Sequence, residues 1–129
     1  MLRVVEPLQD MGVKLKSNEG RAPIKILESN ISDDFEYEMP IASAQVKSSL
    51  ILASLSSNNS LRVTEPKITR NHTEKMIEYF GGDIDYGNAN KKGFIGLGKR
   101  NLIPKESYEI VGDFSSASFI IVALSLIHI

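Results

Sequence analysis

ASAQVKSSLILASL, residues 42–55, opens on small and polar residues and then turns into an apolar helix. Helix is predicted over about Ser43 to Leu55, stopped by the polar run Ser56-Ser57-Asn58-Asn59. The uncharged opening, Ser43-Ala44-Gln45, follows Met39-Pro40 and admits two readings. Serine is a favoured helix cap in any context. A helix start that faces a ligand is the other reading, because its free N–H groups and partial positive charge suit an anion.

The neighbours of this helix set the fold class. Phe35-Glu36-Tyr37-Glu38-Met39 alternates as a strand before it. Glu36 and Glu38 fall on the wet face of that strand and do not form a catalytic pair. Leu61-Arg62-Val63-Thr64 is a strand after it, closed by Glu65-Pro66. Helices between strands imply parallel pairing. Next comes a helix over Asn71 to Phe80, with Asn71 as cap, Glu74 at the capping-box position, and Met76, Ile77 and Phe80 as its apolar stripe. Gly81-Gly82 ends it. Strands are expected at Ile84 to Tyr86, Gly93 to Leu97 and Tyr108 to Val111, and a last helix from about Ser115. Upstream, Met1 to Met11 reads as a helix ended by Gly12, with Val4, Val5, Leu8 and Met11 as its apolar residues. Val13 to Lys16 and Ile24 to Leu27 read as short strands, joined through a turn at Asn18-Glu19-Gly20.

The order repeats. Helix, two strands, an aromatic strand and a small-residue helix start occur twice. Phe35 maps to Tyr108 and Ser43-Ala44 to Ser116-Ala117 at one constant offset. Between the copies lies one whole βαβαββ unit, flanked by pieces of its neighbours. The expected class is therefore α/β (α+β), built from βαβαββ repeats and partial, cut from a longer array.

Composition excludes several classes. The 15 basic and 16 acidic residues nearly cancel, so no basic surplus points to nucleic acid or an anionic membrane surface. Lys91-Lys92 and Lys99-Arg100 sit near glycines and read as turn residues. Cysteine is absent, which removes disulfides, zinc-thiolate sites and a thiol nucleophile within these residues. No run is long enough to span a bilayer, and Arg3, Glu6 and Asp10 interrupt any signal-like stretch. A cytoplasmic location is expected. The Asn-x-Ser/Thr triplets at Asn30, Asn58 and Asn71 then read as chance matches.

Other motifs carry little. Gly93-Phe94-Ile95-Gly96-Leu97-Gly98 lacks the Gly-Lys-Ser/Thr ending and following helix of a phosphate loop, so it reads as a strand with permissive glycines. His72 reads as a surface or capping histidine, His128 is assigned nothing, and Asp113 caps the helix after it. Arg70 stands just before a helix, where it could pair with Glu65 or Glu74 on the surface at little energetic benefit.

Four stretches together carry a resemblance. They are residues 3–12 (RVVEPLQDMG), 42–48 (ASAQVKS), Glu65-Pro66 through residues 69–76 (TRNHTEKM), and 112–119 (GDFSSASF). In this order and spacing the chain, to about Ala123, resembles the 5-enolpyruvylshikimate-3-phosphate synthase family. The resemblance implies an enolpyruvyl transferase-like inverse α/β fold of two lobes, each of three βαβαββ units, with residues 1–123 in the N-terminal lobe. It implies transfer of enolpyruvyl from phosphoenolpyruvate to the 5-hydroxyl of shikimate 3-phosphate by addition and elimination, in a monomeric parent, with no metal or other cofactor. By the same resemblance Ser43, Ala44, Gln45, Thr69 and Arg70 contact shikimate 3-phosphate, and Gln45 also lies near phosphoenolpyruvate. The planar fork of Arg70 can donate two hydrogen bonds to one phosphate.

The resemblance supplies no catalytic residue within the chain. It aligns Met1 with the methionine after an Arg-Pro pair whose arginine holds phosphoenolpyruvate. The family's upstream lysine and serine, and its downstream acidic and basic groups, have no counterparts here, so the chain alone is expected to be inactive. Residues 124–129 (LSLIHI) depart from the alanine-rich helix expected there and read as a non-native tail. Two alternatives remain: the sister transferase acting on UDP-N-acetylglucosamine, and a non-catalytic fragment that binds a phosphorylated ligand. Open sheet edges and bare helix faces predict marginal stability and aggregation.

Overall fold

A computed structural model describes residues 2–57, 59–87, 94–97, 102–104 and 106–127, with backbone only at Phe94 and Ile95. The expectations for Asn58, Gly93, Gly98, the two basic pairs and His128 lie outside the described residues.

The helix that begins the reading is α2, Ala44–Ser57. It connects β3, Asp34–Glu38, to β4, Ser60–Thr64, and the two strands pair in parallel, Phe35 beside Leu61 and Tyr37 beside Val63. α3, His72–Tyr79, leads to the short β5, Ile84–Asp85, and to β6, Phe94–Leu97. The sheet order is β3-β4-β6-β5, with β6 antiparallel to both neighbours. This is the βαβαββ unit expected from the repeat. α1, Leu2–Asp10, precedes a separate antiparallel hairpin of β1, Leu15–Asn18, and β2, Arg21–Ile26. Both hairpin strands sit off the predicted positions, because the turn at Glu19-Gly20 sets the register and not the apolar alternation.

Alternation in β4 buries Leu61 and Val63 and leaves Arg62 exposed; β3 half-buries Phe35 and Tyr37 and leaves Glu36 and Glu38 wet. These strands meet Val46, Leu50 and Ile51 of α2, Met11 and Met39, Ile77 of α3 and Leu97 of β6 in one core. α1 lies against α2 and ends at Gly12, whose φ is +102°. A side chain there would meet the Asn30 carbonyl oxygen at 2.3 Å, so only glycine fits.

Three expectations fail. Residues 108–111 form no strand, because no neighbouring strand among the described residues pairs with their backbone; Ile110 is 91% exposed. The ring of Tyr108 meets that of Phe80 edge-on instead, 5.5 Å between centroids. Met76 faces solvent at 61% exposure, so the buried stripe of α3 is Glu74 and Ile77. Asn71 makes no side-chain cap, and Glu74 turns inward instead of back to the helix start. The cap predicted at Asp113 is present: its carboxylate accepts from the Ser115 N–H and the Ser116 hydroxyl at 2.9 and 2.5 Å, opening α4, Phe114–Ile127. No residue of α4 is buried. Among the described residues no helix is long and apolar enough to cross a membrane.

Candidate anion-binding cleft at two helix starts

β3 delivers the chain to α2 through Met39, whose N–H still bonds the Thr64 carbonyl at 2.9 Å. Ser43 then caps the helix: its hydroxyl accepts the Val46 N–H at 3.4 Å and its carbonyl accepts the Lys47 N–H at 3.1 Å. The two readings of the opening triplet therefore divide between its members. Ser43 is a cap, and it borders a small hollow of about 170 Å3 shared with Arg3, Glu6 and Tyr37. Burial, reinforced by the nearby Asp10 and Glu6 carboxylates, pushes the Tyr37 phenol up.

Ala44 and Gln45 border a different, shallow cleft of about 450 Å3. Its floor is the outer face of α2 at Ser48, Ser49 and Leu52, and its far wall is Arg70, His72 and Thr73 at the start of α3. The Ser48 and Thr73 hydroxyls hydrogen-bond across it at 2.7 Å, tying the two walls together. Gln45, Arg70 and His72 are exposed and free to reach a ligand. Both helix starts converge here, each with N–H groups that lack intrahelical acceptors. One guanidinium, one amide, several hydroxyls and two helix N-termini make a surface suited to a phosphorylated, hydroxylated small molecule.

Of the five residues proposed from sequence, Ala44, Gln45 and Arg70 share this cleft. Ser43 borders the neighbouring hollow. Thr69 borders neither; its hydroxyl donates to Glu65 Oε2. A wider hollow, about 650 Å3, lies at the other end of α3 against Phe80, Ile103 and Pro104. Among the described residues Glu106 is the only charged group lining it, and a carboxylate does not suit an anion.

The alternative reading of Arg70, a surface pair with Glu65 or Glu74, is absent, because both carboxylates belong to Lys47. Its ammonium lies 2.9 Å from Glu65 Oε1 and 2.7 Å from Glu74 Oε1. Sequence reasoning gave Lys47 no role, although the signal was present. Lys47, Leu50, Ile51 and Ser54 recur at the spacing of one helix face, and all are buried. Leu61, Val63 and Glu65 continue one strand face at period two.

A family model described as EPSP synthase (3-phosphoshikimate 1-carboxyvinyltransferase) matches residues 1–128. The 3-phosphoshikimate 1-carboxyvinyltransferase of Bartonella henselae is 40% identical over 130 residues, which is 99% of this chain and 29% of the relative. That of Geobacter metallireducens is 42% identical over 131 residues, 98% of this chain and 29% of the relative. A solved EPSP synthase from Acinetobacter baumannii superposes with a TM-score of 0.72 at 34% identity, over 95% of this chain and 27% of that one. The chain thus spans under a third of the length of these relatives. Their names are those of the shikimate enzyme and not of the UDP-sugar transferase. With motif, sheet order and relatives in agreement, the chain belongs to the EPSP synthase family.

Proposed function

We propose that this chain supplies one wall of a shikimate 3-phosphate site, in a cytoplasmic, monomeric parent that transfers enolpyruvyl from phosphoenolpyruvate to the 5-hydroxyl of that substrate. The observation that carries the reading is the meeting of Gln45 and Arg70, from two separate helix starts, in one cleft. Arg70 would hold the phosphate with its two-pronged donor set, assisted by helix-start N–H groups. Gln45 would donate to one substrate oxygen, accept from a hydroxyl, and lie beside phosphoenolpyruvate. Ser43 still has a hydroxyl proton to donate, since its oxygen is the acceptor in the cap. The Thr69 hydroxyl donates its hydrogen bond to Glu65, so its oxygen would accept from a substrate hydroxyl. Ala44 offers backbone only.

These residues bind and orient; none is placed to move a proton in addition or elimination. A wall alone therefore holds substrate without turning it over.

Calorimetric titration of the chain tests this. Shikimate 3-phosphate is expected to bind saturably and UDP-N-acetylglucosamine not at all, with no phosphate released when phosphoenolpyruvate is added. Binding of the UDP-sugar alone would overturn the substrate assignment. One measurable turnover would overturn the assignment of a purely binding role.

A further inference from the structure

Lys47, Glu65 and Glu74 form a charged cluster that substrate binding leaves without a role. All three are sealed from solvent, at 1%, 1% and 0% exposure. A buried ammonium facing two carboxylates is a poor source of stability. Desolvating the ions offsets most of their attraction, and apolar residues of similar volume often do as well or better. Glu74 is especially ill served, since neither of its oxygens accepts a hydrogen bond among the described residues and its contact with Lys47 is ionic alone.

What such a cluster does supply is direction, because ions held at contact distance in a low dielectric resist displacement. Lys47 stands in the first turn of α2, two residues after Gln45. Glu74 stands in the first turn of α3. Glu65 follows β4 and accepts from Thr69, whose next residue is Arg70. The 2.7 Å bond between Ser48 and Thr73 is a second tie between the same two turns. Lys47 itself is closed off from the cleft, and its charge already faces two carboxylates, so Arg70 is left as the cation lining it among the described residues.

We propose that Lys47 and Glu74 are positioning residues: their buried ion pair sets the first turn of α3 against that of α2, and so holds Arg70 across the cleft from Gln45. For its ligand, shikimate 3-phosphate, this rests on the binding function above; for its geometry it does not.

A double-mutant cycle in the 129-residue chain tests it, reading affinity and stoichiometry for shikimate 3-phosphate by calorimetry, with amide hydrogen exchange on the free protein. Glu74→Gln keeps the shape and removes the charge. Affinity is expected to fall about tenfold at unchanged stoichiometry, as when a charge-assisted bond from Arg70 is misplaced. With Arg70→Lys already present, the same change is expected to weaken binding less than about twofold, since coupled residues are not additive. Exchange is expected to quicken at residues 72–75 and to stay unchanged at Leu50 and Ile51.

Fallen stoichiometry at unchanged affinity, an equal loss in the Arg70→Lys background, or a uniform rise in exchange would each overturn the proposal and leave a merely structural pair. Should Glu74→Gln fail to fold, K47M/E65Q/E74Q leaves no buried charge unpaired and takes the same measurements. If the unaltered chain does not bind shikimate 3-phosphate, the binding function fails by itself. The exchange pattern alone then decides whether the pair holds α3 against α2.

Discussion

Replacing Lys47 with Met removes one ammonium and keeps most of the side-chain volume, so its effect on stability reads the charge. Two carboxylates would remain, at 1% and 0% exposure. Glu65 would keep the Thr69 hydroxyl, while Glu74 would lose its ionic contact and have no hydrogen bond to fall back on. Breaking a buried pair by removing one partner costs about 3–5 kcal/mol. Unfolding entropy of about 2.1 cal/mol/K per residue amounts to roughly 0.27 kcal/mol/K for a chain of this length, so about 4 kcal/mol lowers Tm by about 15 °C. Against a total stability of about 5–15 kcal/mol, that is a large share. Urea and thermal melts followed by circular dichroism at pH 7 measure it. K47M/E65Q/E74Q, with no ion left to desolvate, is expected to recover most of the loss. A Lys47→Met variant within about 1 kcal/mol of the unaltered chain would refute the reasoning, since two buried carboxylates left without their cation cannot be that cheap.

Gly12→Ala is expected to lower stability by about 1–3 kcal/mol, because it adds strain at positive φ to a collision with backbone. Gly81→Ala, at φ +82° with nothing within 4 Å, is expected to lose less, and paired denaturant melts rank the two. The Tyr86 phenol is pushed up to about 12 by burial, then by the Glu78 charge and a hydrogen bond to it. Its contribution to stability is present below pH about 10, the ordinary tyrosine value, and is lost as pH rises from there through 12. Absorbance titration of the protein against Tyr86→Phe isolates that one group. Hydrogen bonds from Ser116 and from the Ser115 N–H hold the Asp113 carboxyl below its ordinary range. The cap on α4 is therefore complete above pH about 4 and is lost as pH falls below it. Asp113→Ala is expected to raise exchange at the first turn of α4 at neutral pH and to abolish the acid dependence there.

Much of the fold is legible because local periodicity governs it. Val46, Leu50 and Ile51 of α2, and Leu61 and Val63 of β4, show their buried faces through spacing alone, and Gly12 announces the end of α1. The βαβαββ order follows from those elements and from the repeat. Residues 108–111 have the composition of a strand and are not one, because a strand exists only where another backbone offers hydrogen bonds. Glu74 has the sequence context of a capping box, yet its carboxylate lies with Lys47, because an ammonium in the core attracts it more strongly than a helix N–H at the surface. The candidate site divides the same way. Sequence by itself determined which residue types stand at the two helix starts: serine, glutamine and arginine, able to cap, donate and hold an anion. Only the tertiary structure decided that Gln45 and Arg70 face one cleft while the Ser43 and Thr69 hydroxyls turn to the Val46 N–H and Glu65. Periodicity orients a side chain about its own helix or strand, and contacts between distant segments decide what it meets.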